Sequence, residues 1–136
     1  MSLFLDTNVL LYSISSAPDE AAKREIALRL LQRGDCVLSV QVLQEFYNQA
    51  TRITRSASRP NDPVERIVTA LLRFRIRENT VELFLAAIAI VRAHRISLWD
   101  ALIVAAAQAA GCDILLTEDL SHGQRFGNLR IENPFL

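Results

Sequence analysis

Three short apolar runs, Leu3-Phe4-Leu5, Cys36-Val37-Leu38 and Ile114-Leu115-Leu116, limit the folds open to this chain. Each is continuous rather than alternating, so both faces of the corresponding strand must be covered, and long segments of helical periodicity separate them. Such a pattern predicts a three-layer α/β/α sandwich with a short central parallel sheet. At 136 residues the chain is expected to form a single domain over 1–136, with a core large enough to need no disulfide.

The helices follow from their boundary chemistry. Residues 7–15 read as a helix stopped at Ser15-Ser16-Ala17-Pro18, and Pro18 opens a second with Asp19 and Glu20 in its first turn and Gly34 as its stop. Ser39 is an expected N-cap for a helix bearing Val42, Leu43, Phe46, Tyr47 and Ala50 at helical spacing. Residues 54–63 read as a loop, residues 64–72 as a helical stripe and residues 74–77 as a short edge strand. Thr80 is expected to cap a helix ending near His94, and Ser97 an Ala-rich helix ending at Gly111. The turn-rich tail carries one more expected strand, Leu129-Arg130-Ile131.

Lys plus Arg equals Asp plus Glu at 15 each, so net charge gives no general attraction to nucleic acid or membrane. Its distribution is uneven. Residues 51–77 hold seven Arg against Asp62 and Glu65, a local excess of +5. Arg52, Arg55, Arg59, Arg75 and Arg77 are therefore candidate phosphate contacts, with a solvated surface as the equal alternative. Cys36 and Cys112 have no metal-ligand or redox spacing and read as buried free thiols. The N-terminus lacks a signal-peptide pattern and no apolar stretch is long enough to span a bilayer, which predicts a cytoplasmic protein.

Right-handed crossovers bring the carboxyl ends of parallel strands to one edge, where open α/β sheets hold their ligands. Asp6 and Asp119 both follow strands, so both should reach that edge, and Glu45 and Asp100 would join them from helices. Singly, each acid has an ordinary structural reading. Asp6 can cap the helix beginning at Thr7, Glu45 lies off its helix's apolar stripe, Asp100 fits a capping box with Ser97, and Asp119 can cap a short turn. His94, near a helix C-terminus, and His122, beside a turn glycine, read as structural or surface residues. Trp99 and Phe46 are expected to pack in the core, because each lies within an apolar helical segment.

The acids also lie in longer strings: Phe4-Leu5-Asp6-Thr7-Asn8-Val9-Leu10, Ser39 to Phe46, Leu98-Trp99-Asp100-Ala101-Leu102-Ile103, and Leu115-Leu116-Thr117-Glu118-Asp119-Leu120. In order and spacing these resemble PIN-domain ribonucleases, and in particular the VapC-type toxins of bacterial toxin–antitoxin pairs. Gly123 to Gly127 and Asn133-Pro134-Phe135 are similar as well, so the resemblance runs along essentially the whole chain. It implies a catalytic, metal-binding set of Asp6, Glu45, Asp100 and Asp119, supported by Thr7, Asn8 and Thr117, with Glu118 as a further contributor. It also implies RNA as substrate, a cognate antitoxin and a homodimer.

Crowded carboxylates repel one another, and an all-oxygen set suits Mg²⁺ or Mn²⁺ rather than Zn²⁺. The chemistry expected of such a site is metal-dependent endonucleolytic hydrolysis by an activated water. Another metal-dependent phosphodiesterase, a DNA nuclease and a non-catalytic interaction module remain as alternatives. An Asp-nucleophile phosphatase would want a second Asp where this chain has Asn8.

Overall fold

The computed structural model describes residues 2–53 and 62–136. A six-stranded sheet has the order β3-β2-β1-β4-β6-β5, built from β1 (Leu3–Leu5), β2 (Cys36–Ser39), β3 (Arg75–Arg77), β4 (Ile114–Leu116), β5 (Arg125–Phe126) and β6 (Leu129–Glu132). All neighbouring pairs are parallel except β5 with β6. Helices α1 (Thr7–Ser13), α2 (Ala21–Leu31), α3 (Val40–Ile53), α4 (Asp62–Leu71), α5 (Val81–His94) and α6 (Leu98–Ala109) flank the sheet, giving the expected α/β/α sandwich.

The three apolar runs are the central strands. Phe4, Leu5, Leu38 and Leu115 are fully buried, and each such side chain contributes roughly 1.5–3 kcal/mol relative to exposure. α6 is buried along Ala101 and Ile103 through Ala107, and its alanines let the helix approach β2 and β4 closely.

Most boundaries follow the capping chemistry. The Ser39 hydroxyl accepts from the Val42 amide, that of Thr80 from Leu83 and that of Ser97 from Asp100. Three details depart from expectation. Pro18–Glu20 forms a 3₁₀ turn before α2 rather than its first α-helical turn. α1 ends at Ser13, whose hydroxyl turns back onto the Leu10 carbonyl and competes with continued helix bonding. The tail holds an additional two-residue strand, β5, joined to β6 through Gly127 at φ 60, too short for a periodicity signal.

Strand order reverses beside β1, with β2 on one side and β4 on the other. The crevice at the carboxyl ends of β1 and β4 is therefore a topological switch point, where ligands bind in open α/β sheets.

Candidate active site

Asp6 is the residue immediately after β1, and its backbone amide continues the parallel ladder by donating to the Leu116 carbonyl at 3.1 Å. The residue is only 7% exposed. It accepts from the Thr7 amide and from the Thr117 hydroxyl, both at 2.7 Å. Burial nonetheless dominates, and together with Asp119 and Glu45 it pushes the Asp6 pKa up from 3.8 to about 6, against the lowering effect of the two hydrogen bonds.

Thr117, fully buried just after β4, organises the other side of the crevice. Its oxygen donates to Asp6, accepts from the Asn8 amide group at 3.1 Å and accepts from the Asp119 backbone N–H at 3.1 Å. Asn8 also donates to the Asp119 carboxylate at 3.1 Å. One hydroxyl and one amide thus tie the ends of β1 and β4 together and set the direction of Asp119.

Glu45 comes from the middle of α3. Thr7 and Gln41 both donate to its Oε1 at 3.3 Å, and the same Gln41 amide donates to the Trp99 carbonyl at 3.2 Å. Gln41 therefore fixes α3 against the first turn of α6, which carries Asp100. Desolvation raises the pKa of both Glu45 and Asp100, with nearby acids adding to it: Asp100 and Asp119 act on Glu45, and Asp119 acts on Asp100. Mutual repulsion among four carboxylates from four parts of the chain is the electrostatic signature of this crevice.

All four acids line one pocket of about 540 Å³, together with Thr7, Asn8, Tyr12 and Trp99 among others. Glu118 lines it too, but its oxygens are engaged: Tyr12 donates to one at 2.5 Å and Lys23 to the other at 3.2 Å. Lys23 lies over the Tyr12 ring, 4.7 Å from its centroid, and Phe135 meets that ring edge-on at 4.8 Å. Glu118 thus ties the pocket wall to α1 and α2, and Phe135 of the tail packs on the Tyr12 that bonds it.

Of the basic candidates, Arg52 lies in the last turn of α3, beside the pocket-lining Gln49 and Ile53. Arg77 ends β3, on the edge of the sheet where the carboxylates gather. Arg75 is committed elsewhere, donating to the Ala110 carbonyl at 2.5 Å and lining a second pocket with Ser2, Asp35 and Cys36. Arg55 and Arg59 lie outside the described residues. His122 accepts from the Asn133 amide and His94 packs on the Phe126 ring, so both serve structure as expected.

Trp99 requires a correction. It was expected in the core, as Phe46 is, yet its side chain is 65% exposed at the pocket. It occupies the second position of α6, before the helix has turned its face onto the sheet, so the apolar stripe that buries Ala101 and Val104 does not include it. Gln41 was overlooked for a related reason: hydrophobic periodicity says nothing of a polar residue inside the apolar face. Its spacing of four from Glu45 was the available signal.

The donor set consists of oxygens, which suit a hard divalent cation. Among the described residues, no group of three or more His, Cys, Asp or Glu side chains is already arranged to hold an ion. Mg²⁺ does not demand such a cage, because it commonly keeps several waters and takes only one or two carboxylates. The buried Asn8 Oδ1 has no hydrogen-bond donor among the described residues, which leaves one more oxygen acceptor uncommitted beside the acids. The residues therefore fit the ion chemically.

The architecture is that of an α/β/α sandwich with one buried acid, Asp6, and three less buried ones, Glu45, Asp100 and Asp119, lining the pocket at its switch point. More specifically, the PIN domain family model matches residues 3–124, and the chain belongs to that family. No curated protein matches the sequence. Among solved structures, a toxin–antitoxin complex from Klebsiella pneumoniae shares 21% identity at a TM-score of 0.72, covering 98% of both chains. VapC20 of Mycobacterium tuberculosis, described as a toxin cleaving the sarcin–ricin loop, shares 22% identity at a TM-score of 0.66, covering 84% of this chain and 87% of its own. VapBC2 of Rickettsia felis, bound to a DNA fragment of its promoter, shares 21% identity at a TM-score of 0.66 with 98% of both chains covered. Among the described residues no helix is long and apolar enough to cross a membrane.

Proposed function

We propose that this chain is a metal-dependent endoribonuclease, the toxin of a toxin–antitoxin pair, acting as one nuclease domain. The supporting observation is that Asp6, Glu45, Asp100 and Asp119 line a single pocket at the switch point of a PIN fold. Structural likeness to toxins crystallised with antitoxins supports the biological setting.

Asp6, Glu45, Asp100 and Asp119 would hold Mg²⁺ or Mn²⁺. When bound, the ion supplies charge neutralisation at a scissile phosphate and lowers the pKa of an attacking water. The chain's own residues do the positioning. Thr117 and the Thr7 amide fix both oxygens of Asp6, Asn8 aims Asp119, and Gln41 with Thr7 holds Glu45. Water would attack phosphorus in line and lose a proton to solvent, the new P–O bond forming as the ester P–O bond breaks and the leaving ribose oxygen takes up a proton from solvent, with no covalent protein intermediate. Arg52, in the last turn of α3, and Arg77, at the end of β3, would contact the RNA backbone. Asn8 is occupied in bracing Thr117 and Asp119, a role unlike that of the second Asp of a phosphatase.

A cognate antitoxin would cover this pocket, and a second copy of the chain would find an apolar surface in Val81, Phe84 and Leu85, which α5 leaves exposed. The deciding experiment incubates purified protein with cellular RNA, with and without EDTA, and sequences the fragments. Discrete cuts that need Mg²⁺ or Mn²⁺ and vanish in folded Asp6→Asn and Asp100→Asn are expected. Cleavage insensitive to EDTA, or equal in both variants, rejects the proposal.

A further inference from the structure

We propose that Trp99 is a base-stacking platform that seats an unpaired nucleotide next to the scissile phosphate, an inference that rests on the ribonuclease reading above. A tryptophan side chain left 65% exposed on a folded domain gives up one of the largest burial gains available to any residue. Here it lines the same pocket as Asp100, the next residue of α6 and a proposed ligand. The indole N–H meets no acceptor among the described residues, while the backbone is fixed by the bond from Gln41 to the Trp99 carbonyl at 3.2 Å. The ring is thus carried on a fixed support yet open to the pocket.

The pocket's composition favours a nucleotide over a bare phosphate. Its carboxylates share the lining with apolar Leu11, Ile14, Ile53 and Ile103, and a volume of about 540 Å³ exceeds the needs of an ion and a phosphate group. Single-stranded RNA offers what both parts require, a backbone anion for the cation site and a splayed base for an aromatic face. Paired bases cannot reach the ring without unstacking, so the platform would serve an unpaired base. The same Gln41 amide that bonds the Trp99 carbonyl also donates to Glu45, so the backbone that carries the ring is tied to one of the carboxylates.

Trp99 is the sole tryptophan of the chain, so intrinsic fluorescence reports on this position alone. Titration of the wild type with 2′-O-methyl hexaadenylate, which resists cleavage, is expected to quench the emission. The abasic hexamer of the same backbone should leave it unchanged. In parallel, cleavage of single-stranded RNA by Trp99→Ala should show KM raised roughly tenfold or more with kcat within about threefold, and Trp99→Phe should recover most of the loss. Circular dichroism establishes that both variants fold. Equal quenching by the abasic hexamer, or wild-type KM in Trp99→Ala, overturns the platform. If Trp99→Ala cleaves normally but no longer binds the cognate antitoxin, the ring serves the protein partner and the inference is rejected. Absence of any RNA cleavage by wild-type protein, by contrast, defeats the ribonuclease reading itself.

Discussion

Asp6 shows how a single residue trades stability for a site. Its carboxyl is raised from 3.8 to about 6 chiefly by burial, so the folded, metal-free protein holds the proton more tightly than the unfolded chain does. Below about pH 3.8 both states are protonated and nothing is lost. As pH rises towards 6 the unfolded state ionises first, stability falls, and above 6 the full cost is present, on the order of 3 kcal/mol. Asp6→Asn is therefore expected to raise the melting temperature of metal-free protein at pH 7.5, with the gain fading towards pH 4. Melts in EDTA at the two pH values check this, and a pH-independent difference contradicts it. This residue was legible in the sequence because a strand-to-helix junction has a local signature. Gln41 and Trp99 were not, because what distinguishes them is a contact between α3 and α6, residues 58 apart in sequence.

At the scale of elements, α6 links stability to the site through one cap. The Ser97 hydroxyl accepts from the Asp100 amide and also interacts with the Asp100 side chain, offsetting part of the rise in pKa that desolvation causes. Ser97→Ala should cost about 1 kcal/mol of stability and leave Asp100 less constrained. Activity should then fall more than unfolding alone explains, while Ser97→Thr should preserve both, as denaturant melts and initial rates at a common temperature will show. The end of α5 offers an opposite case. Arg95 caps it at φ 55, ψ 40, a left-handed conformation that suits glycine. Arg95→Gly is expected to stabilise the protein by about 0.5 kcal/mol, the relief of side-chain strain exceeding the added chain entropy. A loss of stability in urea melts would contradict it. Helix starts at Ser39, Thr80 and Ser97 were readable because a cap is a local bond. β5 was not, because two residues owe their strand character wholly to pairing with β6.

For the whole molecule, the pocket couples distant parts of the fold electrostatically. Asp6 follows β1, Glu45 rides on α3, Asp100 opens α6 and Asp119 follows β4, so a cation bound among them would tie all four together. That the strands run parallel was readable from three apolar runs, and so was the edge shared by Asp6 and Asp119. Their mutual distances depend on the packing of α3 and α6, which no local pattern encodes. A ligand that binds only the folded state stabilises it by RT ln(1 + [L]/Kd), about 2.7 kcal/mol at a hundredfold excess over Kd. Protons compete for the same oxygens: with Asp6 at about 6, roughly one molecule in ten is ionised there at pH 5, and Glu45 and Asp100 are shifted in the same direction. Mn²⁺ at a concentration that saturates the shift at pH 7.5 should therefore raise the melting temperature about half as much, or less, at pH 5. In Asp100→Asn the increment should shrink at both pH values. A Mn²⁺ effect that is the same at pH 5 and 7.5, or unchanged in that variant, would place the ion away from these carboxylates.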